Sequence, residues 1–277
     1  MSHLRFAIAA LFLLGITESS AQDCSKIPVG NYVKMSLKAL CQGTGSTFVL
    51  IDGSDPISAQ SKQWLGNNIF KDKSLTHFSD GGEMFSAAYM ADQPVADLDT
   101  RSVCFPKPME KVNPLFEAPS KFRAFHAAYD CAISDTQAKI LDERTETGKS
   151  LIIEAVREIF SNPKYQQSNT QGQRTFVLAS DLYQNSSIVS FFELCTYRAD
   201  GSKVCPDFKK LTKSDTRISR YLKASLPKMR STDKVRILNI NVNGKVDQSA
   251  RDFWTQYFEA AGVLPENLEY TAELDHH

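Results

Sequence analysis

Ser46-Thr-Phe-Val-Leu-Ile51 runs directly into Asp52-Gly-Ser-Asp-Pro56. The apolar residues do not alternate with polar ones, so the run reads as a strand buried on both faces, the state typical of a parallel sheet covered by helices. Gly43 and Gly45 precede it, and the Asp-Gly-Ser-Asp-Pro stretch ends it. Working outward, Ile57 to Phe70 reads as a helix. Leu75-Thr-His-Phe78 and Met84-Phe-Ser-Ala-Ala-Tyr89 read as weaker strands around the Asp80-Gly81-Gly82 hairpin signal. Val103 to Pro119 carries Pro106, Pro108, Pro114 and Pro119 and reads as an irregular insertion, with a long helix from Ser120 to about Leu141. Ile152, Ile153, Val156, Ile159 and Phe160 recur at helical spacing after Thr145-Glu-Thr-Gly148. Thr175-Phe-Val-Leu-Ala179, ending at Ser180-Asp181, is a second buried strand, Lys209 to Leu226 a helix, and Val235 to Val242 a third central strand. Asp247 caps a final helix whose Ala250, Phe253, Trp254, Tyr257, Phe258 and Ala261 share one side, with Gly262 as its stop. Strands alternating with helices predict an α/β fold, doubly wound around a mainly parallel sheet with helices on both faces.

The chain has 277 residues, with 32 Lys+Arg against 32 Asp+Glu. A balance this even excludes a dominant nucleic-acid or polybasic membrane reading. With 42% hydrophobic residues the chain can bury a substantial core. Arg5 followed by the apolar run Phe6 to Gly15 and by Ser19-Ser20-Ala21 reads as a signal peptide, residues 1–21, cleaved after Ala21. The run is about half the roughly twenty residues that a spanning helix needs. The expected organisation is therefore a leader, an N-terminal extension over 22–44, and one α/β domain over 45–277 with its proline-rich insertion around 103–119. No membrane span is expected after cleavage, and the location is periplasmic or secreted.

In an oxidising compartment Cys24, Cys41, Cys104, Cys131, Cys195 and Cys205 form an even set that can pair completely, and none lies in a CxxC spacing. Proximity along the chain pairs Cys24 with Cys41, Cys104 with Cys131, and Cys195 with Cys205. The last pair would close two short extended runs around the turn Asp200-Gly201.

Gly148-Lys149-Ser150 lacks the glycine-rich cradle and leading strand of a phosphate loop, and Gly43-Thr-Gly45 precedes a strand where a dinucleotide fingerprint would follow one. No HExxH or GxSxG is present. What remains is Asp52 with Ser54, Asp181, and Thr145 before a helix, all at carboxyl ends of strands or starts of helices. In open α/β sheets that edge is where ligands bind. Carboxylates and hydroxyls are hard oxygen donors suited to Mg2+ or Mn2+. The plainer alternative is that Asp52 and Asp181 cap the helices that follow them.

Phe48-Val-Leu-Ile-Asp-Gly-Ser54, Arg144-Thr-Glu-Thr-Gly-Lys-Ser150 and Phe176-Val-Leu-Ala-Ser-Asp181, in that order, resemble the three segments of a von Willebrand factor A (VWA) domain that form its metal ion-dependent adhesion site. The resemblance spans roughly residues 45 to 265. It implies that Asp52 and Ser54 occupy the first two positions of a D-x-S-x-S pattern, that Thr145 is the loop threonine and that Asp181 is the later aspartate. Two positions depart from it: Pro56 stands where the pattern has its second serine, and Leu182 stands where a glycine usually follows the later aspartate. The first departure removes an oxygen ligand, and Asp55 adds a charge beside it. The implied function is an exported module that binds a protein ligand through a carboxylate of that partner and a divalent metal at Asp52, Ser54, Thr145 and Asp181. The alternatives are a metal-dependent hydrolase built on the same carboxylates and a scaffold whose metal site has decayed.

Overall fold

The computed structural model describes residues 24–27, 30, 45–54, 57–71, 82–90, 100–141, 148–161, 172–199, 203–240 and 247–271. The leader, Leu75 to Phe78, Thr145, Asp55, Pro56 and the turn Asp200-Gly201 lie outside them.

The opening stretch forms β1 (Gly45–Asp52), from Thr47 onward buried at every position. It lies at the centre of a six-stranded mixed sheet of order β3-β2-β1-β4-β7-β8. The partners are β2 (Met84–Met90), β3 (Thr100–Cys104), β4 (Gln173–Ser180), β7 (Lys234–Asn239) and β8 (Leu268–Thr271). β1 pairs in parallel with both β2 and β4, β4 with β7, and β7 with β8, while β2 and β3 run antiparallel. β5 (Thr196–Tyr197) and β6 (Lys203–Val204) form a separate small antiparallel pair.

Period-two side-chain direction divides the core between the two faces. Phe48 and Leu50 of β1, with Phe176 and Leu178 of β4, pack against α3 (Ile152–Ser161) and α7 (Gln248–Ala261). Val49 and Ile51, with Val177 and Ala179, face α1 (Ala59–Leu65), its π-helical continuation to Lys71, and α2 (Pro119–Leu141). Helices therefore cover both faces. α7 contributes four large aromatic side chains to the core: Phe253, Trp254, Tyr257 and Phe258 are all fully buried. Edge-to-face contacts link Phe191 to Phe253 and Phe208 to Tyr257, each worth about 0.5–1.5 kcal/mol beyond the area buried. Asp247 caps α7 by accepting from the Ser249 and Ala250 amides, and Gly262 ends it at φ 110°, a left-handed conformation that favours glycine.

Four elements differ from the sequence expectations. β2 has both edges occupied, by β1 in parallel and by β3 antiparallel, so Met84 to Tyr89 is an interior strand of the main sheet and not the arm of an isolated hairpin. Val103 and Cys104, read as insertion, belong to β3. The helix expected over Lys209 to Leu226 is two, α5 (Phe208–Lys213) and α6 (Arg217–Ala224), because Thr216 caps a new start by accepting from the Ser219 amide. β8 was not anticipated. α4 (Phe191–Leu194) is a single turn.

Cys195 and Cys205 are bonded as expected. Cys24 instead pairs with Cys131 across a separation of 107 residues, and Cys104 is bonded to a residue outside the described set. The nearest-neighbour pairings Cys24–Cys41 and Cys104–Cys131 are thereby corrected. Cys131 lies on α2, and Ile27 of the N-terminal segment packs on the same face of the sheet, so topology overrides distance along the chain. These disulfides fit an oxidising, extracellular or periplasmic setting. Among the described residues no helix is long and apolar enough to cross a membrane.

Candidate functional site at the carboxyl edge of the sheet

The parallel pairing sets Ile51 opposite Ala179, which brings Asp52 level with Ser180 and puts Asp181 one residue further on, at the same edge of adjacent strands. Asp52 is only 3% exposed. Its Oδ1 accepts the Ser54 amide at 3.0 Å, and its Oδ2 accepts the Ser150 hydroxyl at 2.7 Å and the Ser180 hydroxyl at 2.8 Å. Burial pushes the Asp52 carboxyl above the ordinary carboxylate range, while the hydrogen bonds from Ser150, Ser54 and Ser180 oppose that shift.

Asp181 is half-buried and makes the same local turn as Asp52, its Oδ1 accepting the Tyr183 amide at 2.9 Å. These are Asx turns, a carboxylate bonded to the backbone two residues on. Neither aspartate caps a helix: Ser58 caps α1 by accepting from the Ser61 amide, and α4 begins only at Phe191. The helix-capping alternative is set aside for both residues.

Three loops meet here. Gly148, at φ 62°, donates its amide to the Ser54 carbonyl at 3.3 Å, so the segment that follows Thr145 arrives beside Ser54. The Asn185 amide donates to the Ser150 carbonyl at 2.7 Å and its side chain to the Gly148 carbonyl at 2.7 Å. Gln184 is buried; its Oε1 accepts the Ile153 amide at the start of α3 and its Nε2 donates to Glu154. The loop after β4 thereby clamps the loop before α3. Gly53 packs against the Tyr89 ring so closely that a Cβ would fall 1.8 Å from ring atoms, and the Tyr89 hydroxyl donates to the Gly53 carbonyl at 3.0 Å.

Leu182 is the one non-glycine residue with a positive φ, 71°, among the described residues. The backbone keeps the left-handed shape that a glycine would favour at this position. The leucine holds it through core burial, at 1% exposure, and through its carbonyl, which accepts the Trp254 indole N–H at 2.9 Å. Its amide bonds the Ser180 Oγ at 2.8 Å.

Of the expected site residues, Asp52, Ser54 and Asp181 converge on one edge; Thr145 and Pro56 lie outside the described residues. Ser150 and Ser180, which the sequence reading passed over as part of an apparent phosphate-loop end and a strand end, are Asp52's hydroxyl partners. Among the described residues no group of three or more His, Cys, Asp or Glu side chains could hold a metal ion, so hydroxyls would have to complete any oxygen set.

At the opposite end of the sheet Asp233 accepts from Arg174 and Arg230, and Arg230 also donates its amide to Asp233 at 2.7 Å. That carboxylate is buried and engaged by two guanidinium groups, a structural arrangement with no open side.

No family model matches the chain, and no curated protein matches it. Among solved structures it is similar to proximal thread matrix protein 1 from the mussel byssus, at 13% identity and a TM-score of 0.39, covering 84% of this chain and 44% of that one. It is also similar to the manganese-loaded TRAP protein of Plasmodium vivax, at 12% identity and a TM-score of 0.35, covering 84% of this chain and 70% of that one. The chain thus spans under half the length of the mussel protein, and likenesses at this level establish neither family nor function.

Proposed function

We propose that the chain is an exported, VWA-like protein-binding module, doubly wound, that presents the carboxyl edge of its sheet to a carboxylate of a protein partner through Mg2+ or Mn2+. The observation that carries this reading is the unequal disposition of the two aspartates. Asp52 is deep and accepts hydrogen bonds from the Ser150 and Ser180 hydroxyls, while Asp181, just past the end of the neighbouring strand, is half-buried at the rim. A hydroxyl that donates to a carboxylate leaves its own lone pairs for another electrophile. The chemistry of the donor set fits a hard cation, since every candidate donor at this edge is oxygen. Ser54, Asp181 and Thr145 would hold the ion, with Asp52 supplying the buried negative charge behind them. When bound, the ion would offer an open position to a carboxylate from outside. Asp52 orients the hydroxyls, and the Asn185 and Gln184 contacts fix the loop that carries Ser150.

Binding the native state alone stabilises it by about 2.7 kcal/mol at a hundredfold excess of cation over Kd. For a chain of this size that corresponds to about 5–10 °C in melting temperature. Purified protein should therefore melt higher with Mg2+ or Mn2+ than with chelator, and Asp181→Ala should abolish the increment. An unchanged melting temperature for the wild type would remove the metal from the reading. Turnover of ester or phosphoester substrates that Asp52→Ala and Asp181→Ala both eliminate would replace the binding module with a hydrolase.

A further inference from the structure

We propose that the turn from Asn113 to Glu117 is a docking tip that inserts Leu115 and Phe116 into the interface of an anionic lipid bilayer. The proposal is independent of the carboxyl-edge site. Leu115 and Phe116 are each 85% exposed, adjacent in sequence, and carried at the crest of a turn between edge strand β3 and α2. Single exposed apolar residues are ordinary on a protein surface, but two large neighbours at a convex crest form a contiguous apolar point.

The stem below them is built to hold still. Pro106, Pro108 and Val112 are buried, and His126 of α2 bonds the Lys107 carbonyl at 2.9 Å. Lys107 Nζ pairs with Glu117 at 2.8 Å, and Glu117 also accepts the Asn113 amide at 2.7 Å. The Lys107 ammonium holds the Glu117 carboxyl below its ordinary range.

The N–H groups at the crest are already satisfied. The Leu115 amide donates to Asn113 Oδ1 at 3.0 Å, the Phe116 and Glu117 amides donate to the Asn113 carbonyl at 3.2 and 2.8 Å, and Pro114 has no N–H. Satisfied N–H groups lower the cost of entering the headgroup and acyl boundary, where lipid tails offer no partner. A peptide-binding edge would instead leave its amides open. Charge points the same way. From Lys107 to Arg123 there are four basic and two acidic residues, in a chain that is balanced as a whole. With Glu117 engaged by Lys107, the exposed charges of this stretch include Lys121, whose Nζ lies 5.5 Å from the Phe125 ring centroid, and Arg123, both at the start of α2, against the one exposed acid Glu110. Apolar side chains beside basic ones are what an anionic headgroup region accepts.

The test is flotation of the purified mature protein with vesicles of phosphatidylcholine alone and of phosphatidylcholine mixed with phosphatidylserine. Wild type should float with the anionic vesicles, less so with neutral ones, and less at high salt. Leu115→Ser with Phe116→Ser should lower that affinity by about a hundredfold, as expected for withdrawing two apolar side chains from the interface. Its melting temperature should be unchanged, because neither residue packs in the fold. Phe116→Trp should keep binding and show a blue-shifted emission only with anionic vesicles. Failure of the wild type to float with anionic vesicles overturns the proposal, as does flotation of the double-serine variant equal to wild type. Loss of capture of a protein partner by the double variant, with no vesicle binding by the wild type, overturns it in favour of a protein-docking crest.

Discussion

Leu182 sets two energies against each other, and comparing Leu182→Ala with Leu182→Gly separates them. The side chain is 1% exposed in the cluster that α3, α4 and α7 share. Removing it should cost about 2–5 kcal/mol in lost transfer energy and residual cavity. The backbone sits at φ 71°, which costs an L-residue about 1–2 kcal/mol relative to right-handed geometry. Alanine loses the packing and keeps that cost. Glycine loses that packing and the Cβ as well but escapes the backbone cost, less the roughly 0.5–1 kcal/mol that glycine's unfolded-chain entropy takes back. Both variants should be destabilised, with Leu182→Gly the more stable of the two by up to about 1 kcal/mol. Burial thus wins over backbone strain, which is why a leucine is tolerated where a glycine would be comfortable. The assay is urea unfolding with the slope checked for constancy, so that the midpoints report stability and not a changed unfolded state. A Leu182→Gly variant less stable than Leu182→Ala would refute the strain argument, and one more stable than wild type would refute the packing argument.

Four further outcomes are expected. Gly53→Ala should destabilise by about 1–3 kcal/mol, since the new Cβ overlaps the Tyr89 ring and overpacking of this kind displaces side chains; an unchanged unfolding midpoint contradicts the close approach. Asp233→Ala should cost about 3–5 kcal/mol by leaving Arg174 and Arg230 without their shared carboxylate, read by the same denaturation. Because burial raises the Asp52 carboxyl, the native state holds that proton more tightly than the unfolded chain does. Stability relative to Asp52→Asn should therefore fall as pH rises from the ordinary carboxylate value of about 4 toward the folded value. Melting curves across that window in chelator check the sign, and a gap moving the other way rejects it. Reducing Cys195–Cys205 should cost about 2–3 kcal/mol through the small loop it closes, and mass-matched melting of the Cys195→Ser, Cys205→Ser variant measures it.

How much of this could be read from the chain depends on where each signal resides. The central strands were legible because their apolar runs are continuous, and α7 because Asp247, the aromatic stripe and Gly262 agree on one helix. β3 and β8 escaped notice because Thr100–Cys104 and Leu268–Thr271 are short, polar-flanked edge strands whose existence depends on a partner already being in place. The break between α5 and α6 is a local contest, decided by the Thr216 cap against an otherwise continuous helical pattern. The disulfides were read correctly only where the loop is short, since the Cys24–Cys131 link depends on which face of the sheet α2 covers. Convergence of Asp52 and Asp181 followed from parallel pairing, but their hydroxyl partners did not, because serine is common at strand ends and helix starts and only the register singles out Ser150 and Ser180.

The two departures from the VWA pattern have different physical weight. Leu182 stands where the pattern has a glycine, and the backbone there is left-handed, with Asp181 turned toward the Tyr183 amide at the rim. What the leucine adds is a side chain anchored in the core, beside a backbone carbonyl that is tied to Trp254 whatever the residue, and together they couple the rim loop to α7. Pro56 acts on the donor set itself, by removing a hydroxyl that no backbone adjustment can restore. Ser150 and Ser180 do not replace it as outward-facing ligands, because both are buried beside Asp52 and the Ser180 Oγ also accepts the Leu182 amide. The edge is thus mechanically well supported and chemically thinner than the pattern it resembles. On the proposed reading, affinity for a cation would be governed by the few oxygens at the rim, with Asp181 carrying the charge there, and not by the integrity of the loops that present them.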